Sequence, residues 1–343
     1  MKNFQLLVLL ILIAACSKKE RPKRFSAVQI KTVIEDSVSI RAIEFLDSKT
    51  LAFAGSGGVY GTVDVNTHTV RSNIQVYDSL YPGFRAVGKT TSDFFMLSAG
   101  NPALLYKTGD TGTMELVYKE EGEGVFYDSM RFWNDREGMA VGDSMNGCLS
   151  IIITRDGGNT WTKSPCSQLP DAEEGEGAFA ASNTNIVIVG NNAWIATTAG
   201  AVYKSTDKGK TWSKTATPIV KEKPTEGIYS IDFYDENVGF AIGGDYTQPE
   251  SNKANKVVTQ DGGVTWQLIA DGEEPNYKSC VQYVPNSNGE GLVAVGFTGI
   301  SYSQDSGQHW KRLSDEGFYS LRFLNDTVAY ASGKNRIAKL VFQ

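Results

Sequence analysis

The sequence predicts an all-β fold: a seven-bladed β-propeller of four-stranded antiparallel blades, with the last blade closed by the N-terminal strand. Three observations predict it. A phrase of the form Ser/Thr-x-Asp-x-Gly-x-Thr/His-Trp recurs at residues 154–161, 205–212, 259–266 and 303–310. Its aspartates lie 51, 54 and 44 residues apart, a period typical of repeat architectures. Between the phrases run short alternating stretches punctuated by Gly, Asn and Asp, which read as strands, and no segment keeps a helical period.

Each element follows from that ladder. Degraded copies upstream centre on Asp64 and Asp110, so the rungs are 64, 110, 156, 207, 261 and 305. Two strand-like runs precede a rung, for example residues 230–234 and 238–243, or 321–324 and 328–333. A unit therefore holds an inner strand, a second strand ending in Gly, a third strand, the Asp phrase as a turn, and a fourth strand opened by Trp. After the unit of Asp305 come only three strands, 318–324, 327–332 and 335–342, and the run 27–34 is left to supply the fourth. Closure of this kind removes the exposed edges of an open sheet.

The phrase is similar to the Asp-box, or bacterial neuraminidase repeat, and the resemblance covers nearly all of residues 25–343, read as a single propeller domain. It implies a hairpin on the outer rim, away from the axis. The chemistry suits a staple: the carboxylate accepts local N–H bonds, Gly permits positive φ, and Trp packs on the blade. Asp156, Asp207, Asp261 and Asp305, with Trp161, Trp212, Trp266 and Trp310, are thus structural.

Residues 1–15 read as a signal peptide. Lys2 is the charged start, and the apolar run 4–13 is far shorter than the roughly twenty residues that span a bilayer. Ile13-Ala14-Ala15-Cys16 resembles a bacterial lipobox, which implies cleavage before Cys16 and its acylation. Ser17, where Asp would imply inner-membrane retention, points to an outer-membrane lipoprotein of a bacterial envelope, and the basic tether 16–24 to a periplasm-facing one. Without residues 1–24, 27 basic and 38 acidic side chains leave a net charge of −11, which excludes nucleic acid as a partner. Cys148 and Cys166 both lie nine residues from Gly157 and are expected to face each other as a disulfide in an oxidising compartment. Cys280 reads as an inert core thiol.

Function is sought at the other edge of the blade. Glu123-Gly124-Val125-Phe126, Glu176-Gly177-Ala178-Phe179, Glu226-Gly227-Ile228-Tyr229 and Glu316-Gly317-Phe318-Tyr319 each precede an inner strand, so they are expected to gather at one channel mouth as an acidic, aromatic-edged funnel for a cation, a sugar or a basic protein segment. The alternative is a repeated tight turn with solvated glutamates. Arg131, Asp232 and Arg322 follow within the inner strands and either pair between blades or point into the channel.

Asp-boxes also invite a sialidase reading, but the Arg-Ile-Pro phrase of those enzymes is missing and no spacing assigns three arginines, a Tyr nucleophile and an Asp acid. A xyloglucanase-like pair of carboxylates stays open. The run Gly55-Ser-Gly57-Gly58-Val-Tyr-Gly61 lacks the helix of a dinucleotide site, and His68 and His309 both sit in box phrases, so no cofactor and no metal are expected. The whole resembles the photosystem II assembly-factor type of propeller, which implies a docking platform. The expectation is a membrane-anchored, monomeric, non-catalytic propeller binding a protein or glycan at the mouth. The alternatives are an extracytoplasmic glycoside hydrolase and a cofactor-dependent oxidoreductase.

Overall fold

The computed structural model describes residues 23–109 and 112–343; Cys16 and Asp110 lie outside the described residues. Five sheets of four antiparallel strands follow one another in chain order, with inner strands Phe84–Lys89, Tyr127–Phe132, Ile186–Val189, Ile228–Phe233 and Cys280–Tyr283. A sixth sheet has six strands, in the order Ser320–Phe323, Val328–Phe342, Val28–Phe45, Thr50–Gly55, Val59–Asp64 and Val70–Ile74.

This corrects the expected count of seven blades to six. The N-terminal strand Val28–Phe45 pairs with the C-terminal strand from Val28↔Phe342 to Ser39↔Lys334, then with Thr50–Gly55 from Ile40↔Gly55 to Phe45↔Leu51. It carries one ladder through both pairings, so the strands expected as a separate last blade belong to the same sheet as the first.

The repeated phrase is a hairpin between the third and fourth strands. At residue 156 the carboxylate accepts the Thr160 N–H (2.9 Å) and hydroxyl (2.7 Å), while the Thr154 hydroxyl donates to it and accepts the Gly158 N–H. Asp207, Asp261 and Asp305 repeat the arrangement with Thr211, Thr265 and His309. Gly158 has φ +80°, and a Cβ there would strike Phe95 of the preceding blade. Trp161 donates to Gly158 O (3.2 Å) and lies edge-on to Phe95 and Phe132. The same hairpin that ends one blade thus clamps it to its neighbour. Asp64 caps its turn more simply, accepting the Asn66 and Thr67 N–H groups.

Cys148 and Cys166 are bonded, with Cα atoms 5.5 Å apart, and Cys280 is free and buried. The bridge closes a short loop, with a sequence separation of 18, for which chain entropy gives about 3 kcal/mol. The double variant Cys148→Ser/Cys166→Ser is expected to lose that much stability in urea denaturation; an unchanged midpoint would reject the assignment.

Candidate functional site

The inner strands stand side by side around an axis, all running the same way. Residues at their beginnings therefore meet at one end and residues near their ends at the other. Arg41 and Glu44, Tyr229 and Asp232, and Tyr319 and Arg322 are such pairs, one member lining each of two cavities.

At the beginning end lies a cavity of about 330 Å³ walled by aromatic rings. Phe126, Phe179, Tyr229 and Tyr319 come from the Glu-Gly-x-aromatic phrases, and Tyr246, Tyr277 and Phe297 complete the wall. Phe179 stacks on Tyr229 (3.6 Å, 6°), Tyr229 meets Tyr277 edge-on, and Tyr277 leans on Phe297. Two guanidinium groups share this space. Arg41 lies over the Tyr319 ring at 4.1 Å, its Nε buried without a hydrogen-bond partner. Arg85 donates to Ala180 O (3.1 Å), and burial together with the charge of Arg41 lowers its pKa. Neither arginine forms an ion pair among the described residues; their other bond is from Arg41 to Ala181 O.

The glutamates do not line this cavity. Glu176 is buried and turned into its own blade, accepting from Thr197, Tyr203 and Lys214. Glu226 accepts the Glu222 and Lys223 N–H groups. Glu316 pairs with Arg336 at 2.6 Å, and Glu123 is exposed. In place of the expected acidic funnel stands an aromatic basket with two arginines, because the glutamates turn to their own loops or to solvent while the aromatics three residues on reach the axis.

The opposite cavity, about 340 Å³, is lined by Glu44, Lys89, Arg131, Asp232, Gln282 and Arg322 with aliphatic neighbours. Arg131 and Arg322 converge on one oxygen of Glu44 at 2.8 and 3.4 Å, and both donate to Asn183 O. Burial raises the Glu44 pKa, but Arg131, Arg322 and Lys89 outweigh it and hold the carboxyl below its ordinary value. Burial pushes Asp232 up to about 6, although its carboxylate accepts the Tyr283 N–H. The carboxylates differ in proton affinity, as an acid and a base must, yet the basicity of Glu44 is spent on two guanidinium groups. The arrangement serves cohesion between blades. Among the described residues no group of three or more His, Cys, Asp or Glu is placed to hold a metal ion.

A plug separates the cavities. Residues 178–185 form no strand where the pattern of the other blades demands one. Instead the segment enters the axis: Ser182 donates to Ser279 O, Ser320 donates to Ser182 O, Asn183 donates to Val87 O and accepts from Met130 N–H. Small side chains at Ala178, Ala180, Ala181 and Ser182 let it fit, and Asn183 takes the left-handed conformation (φ 56°) that turns it. Sequence reasoning missed this plug, along with Tyr246, Tyr277 and Phe297; Arg41 and Arg85 are recognisable in the sequence as inner-strand arginines, but their spacing assigns them no role. The available signal was the run Ala178-Phe-Ala-Ala-Ser-Asn-Thr-Asn185, which breaks the alternation of every other inner strand.

Solved structures decide the architecture. YCF48 bound to a D1 peptide superposes with a TM-score of 0.64 at 13% identity, over 94% of this chain and 99% of that one. The fold is a β-propeller. YCF48 from Cyanidioschyzon merolae gives a TM-score of 0.63 at 13% identity, over 92% of this propeller and 98% of that chain. The GH74 xyloglucanase from Xanthomonas campestris gives 0.64 at 13% identity, over 91% of this propeller but 53% of the enzyme. No protein-family model and no curated protein matches the sequence. At such identities the likeness shows the fold alone.

Proposed function

We propose that this propeller is a non-catalytic binding protein whose aromatic cavity takes an acidic, aromatic-bearing segment of a partner protein, and that the segment before residue 23 tethers it by acylated Cys16 to the periplasmic face of a bacterial outer membrane. One observation carries the reading: Arg41 and Arg85 lie together, without carboxylate partners, within a basket of aromatic rings. Two cations held close and partly desolvated repel each other, and an incoming carboxylate relieves both. The rings supply apolar area and stacking for an aromatic side chain. That one of the similar structures is described as bound to a peptide agrees with a peptide ligand.

The test is fluorescence anisotropy with labelled acetyl-Glu-Phe-Asp-Tyr-amide and its neutral analogue acetyl-Gln-Phe-Asn-Tyr-amide. A hydrogen bond to a charged group contributes about 1.5–3 kcal/mol, so the acidic peptide is expected to bind roughly ten- to a hundredfold tighter. The double variant Arg41→Gln/Arg85→Gln is expected to remove that preference. Equal affinity for both peptides, or a preference that survives the double variant, overturns the reading.

A further inference from the structure

Behind the aromatic cavity lies a buried acid that the binding reading leaves unused. Asp128 is fully buried, and neither of its carboxylate oxygens has a hydrogen-bond partner. Its position follows from two adjacent irregularities in one blade. The pairing of Tyr127–Phe132 with Gly138–Met145 shifts register between Val141 and Gly142, and the pairing of Gly138–Met145 with the next strand shifts between Gly142 and Ser144. Asp128 and Asp143 occupy these shifts, where a bulge re-aims a side chain. Gly142 makes the double bulge feasible, since a Cβ there would strike the Phe126 carbonyl.

Both carboxylates turn to the same place. Asp143 Oδ1 accepts the Ala178 N–H at 3.3 Å, and the same N–H lies near Asp128 without hydrogen-bond geometry, lowering its pKa less than burial raises it. The charged groups facing Asp128 are Asp143, from the adjacent strand of its blade, and Arg85, from the neighbouring inner strand, with Arg41 beyond it. Glu176, close by in sequence to Ala178, points away to Thr197, Tyr203 and Lys214. Burial and the charge of Asp143 both raise the Asp128 pKa well above the ordinary value, and burial pushes Asp143 up to about 6.

Arg85 thus stands between two places for negative charge, the cavity and Asp128. We infer that the cavity takes up its anionic ligand together with a proton on Asp128, so that Asp128 sets the pH range over which the site binds. This rests on the binding reading above. A protonated Asp128 leaves the full charge of Arg85 to the ligand, and an ionised one competes for it. Linkage fixes the sign: ligand binding raises the affinity of Asp128 for its proton, so the ligand is bound best at low pH and more weakly as Asp128 ionises. One linked proton changes affinity by at most about tenfold per pH unit.

The test is titration of the intact protein with acetyl-Glu-Phe-Asp-Tyr-amide from pH 6.5 to 9 at constant ionic strength, where the side-chain carboxylates of the peptide stay charged. Affinity is expected to fall as pH rises, with proton uptake seen calorimetrically in buffers of different ionisation enthalpy. Asp128→Asn, isosteric with the protonated acid, is expected to keep the low-pH affinity and to flatten the profile. Asp143→Asn, which removes a neighbouring negative charge, is expected to move the fall to lower pH. Strong binding with a flat wild-type profile, or a slope that survives Asp128→Asn, overturns this inference alone. Absence of binding at every pH overturns the binding reading and this inference with it.

Discussion

Replacing Glu44 by alanine is expected to destabilise the folded chain by about 3–5 kcal/mol, the cost of stranding buried charge when one partner of an ion pair is removed. Two cations lose their partner at once, since Arg131 and Arg322 converge on the same carboxylate oxygen and the Arg322 side chain is only 5% exposed. The backbone acceptors that remain, Asn183 O for both and Leu321 O for Arg322, carry dipoles and no net charge. Urea denaturation at pH 7 measures the loss, and a cost under about 1 kcal/mol would show that solvent in the cavity already compensates both guanidinium groups. The wild-type protein should also show the pH signature. The folded pKa of Glu44 lies below the ordinary value, so its contribution is present above the unfolded pKa and is lost as pH falls through the folded one. Glu44→Ala should flatten that acid limb.

Asn183→Ala is expected to cost about 3–7 kcal/mol. The side chain is fully buried and joins two inner strands by donating to Val87 O (2.8 Å) and accepting the Met130 N–H (3.0 Å). Alanine leaves both backbone groups without partners at about 1–3 kcal/mol each. It must also hold a left-handed φ of 56°, which costs about 1 kcal/mol for a residue without a short polar side chain. The measurement is again urea denaturation, with Asn183→Asp alongside. Aspartate can still accept from Met130 but sets a carboxylate against the Val87 carbonyl, so it should rescue only part of the loss. If both variants matched the wild type, the plug would be an ornament of the channel and not a part that holds the strands together.

Much of this molecule is legible in its sequence because its most regular device is local. The carboxylate of Asp261 needs only Thr259 and Thr265, four residues away, to close its turn, so pattern alone locates the hairpin. The aromatic residues of the Glu-Gly-x-aromatic phrases were legible for a related reason, since a residue at the beginning of an inner strand meets its counterparts at one end of the axis. The glutamates beside them were not. The orientation of Glu176 is set by Thr197, Tyr203 and Lys214, which approach from later strands of its own blade, and spacing within the repeat contains no trace of them. Arg41 and Arg85 could be placed on inner strands but given no role, because they belong to the two blades with the most degraded phrases. The blade count failed for a further reason: a turn-based ladder counts hairpins, whereas sheets are counted by hydrogen bonds, and Val28–Phe45 carries one ladder across what looks like a boundary.

The strand that joins the ends of the chain also imposes an order on its birth. Val28 has Phe342 as its partner, and Ser39 has Lys334. As the polypeptide emerges from a ribosome, or threads through a membrane, every four-stranded sheet can pair within itself soon after it appears. Val28–Ser39 cannot, and waits with an unpaired edge until residues 334–342 arrive. Contacts of such long sequence separation are the slow ones in folding. The ring is therefore open throughout synthesis and shuts as a late event, so the aromatic basket, which needs Arg41 and Tyr319 from opposite ends of the chain, exists only in the finished molecule.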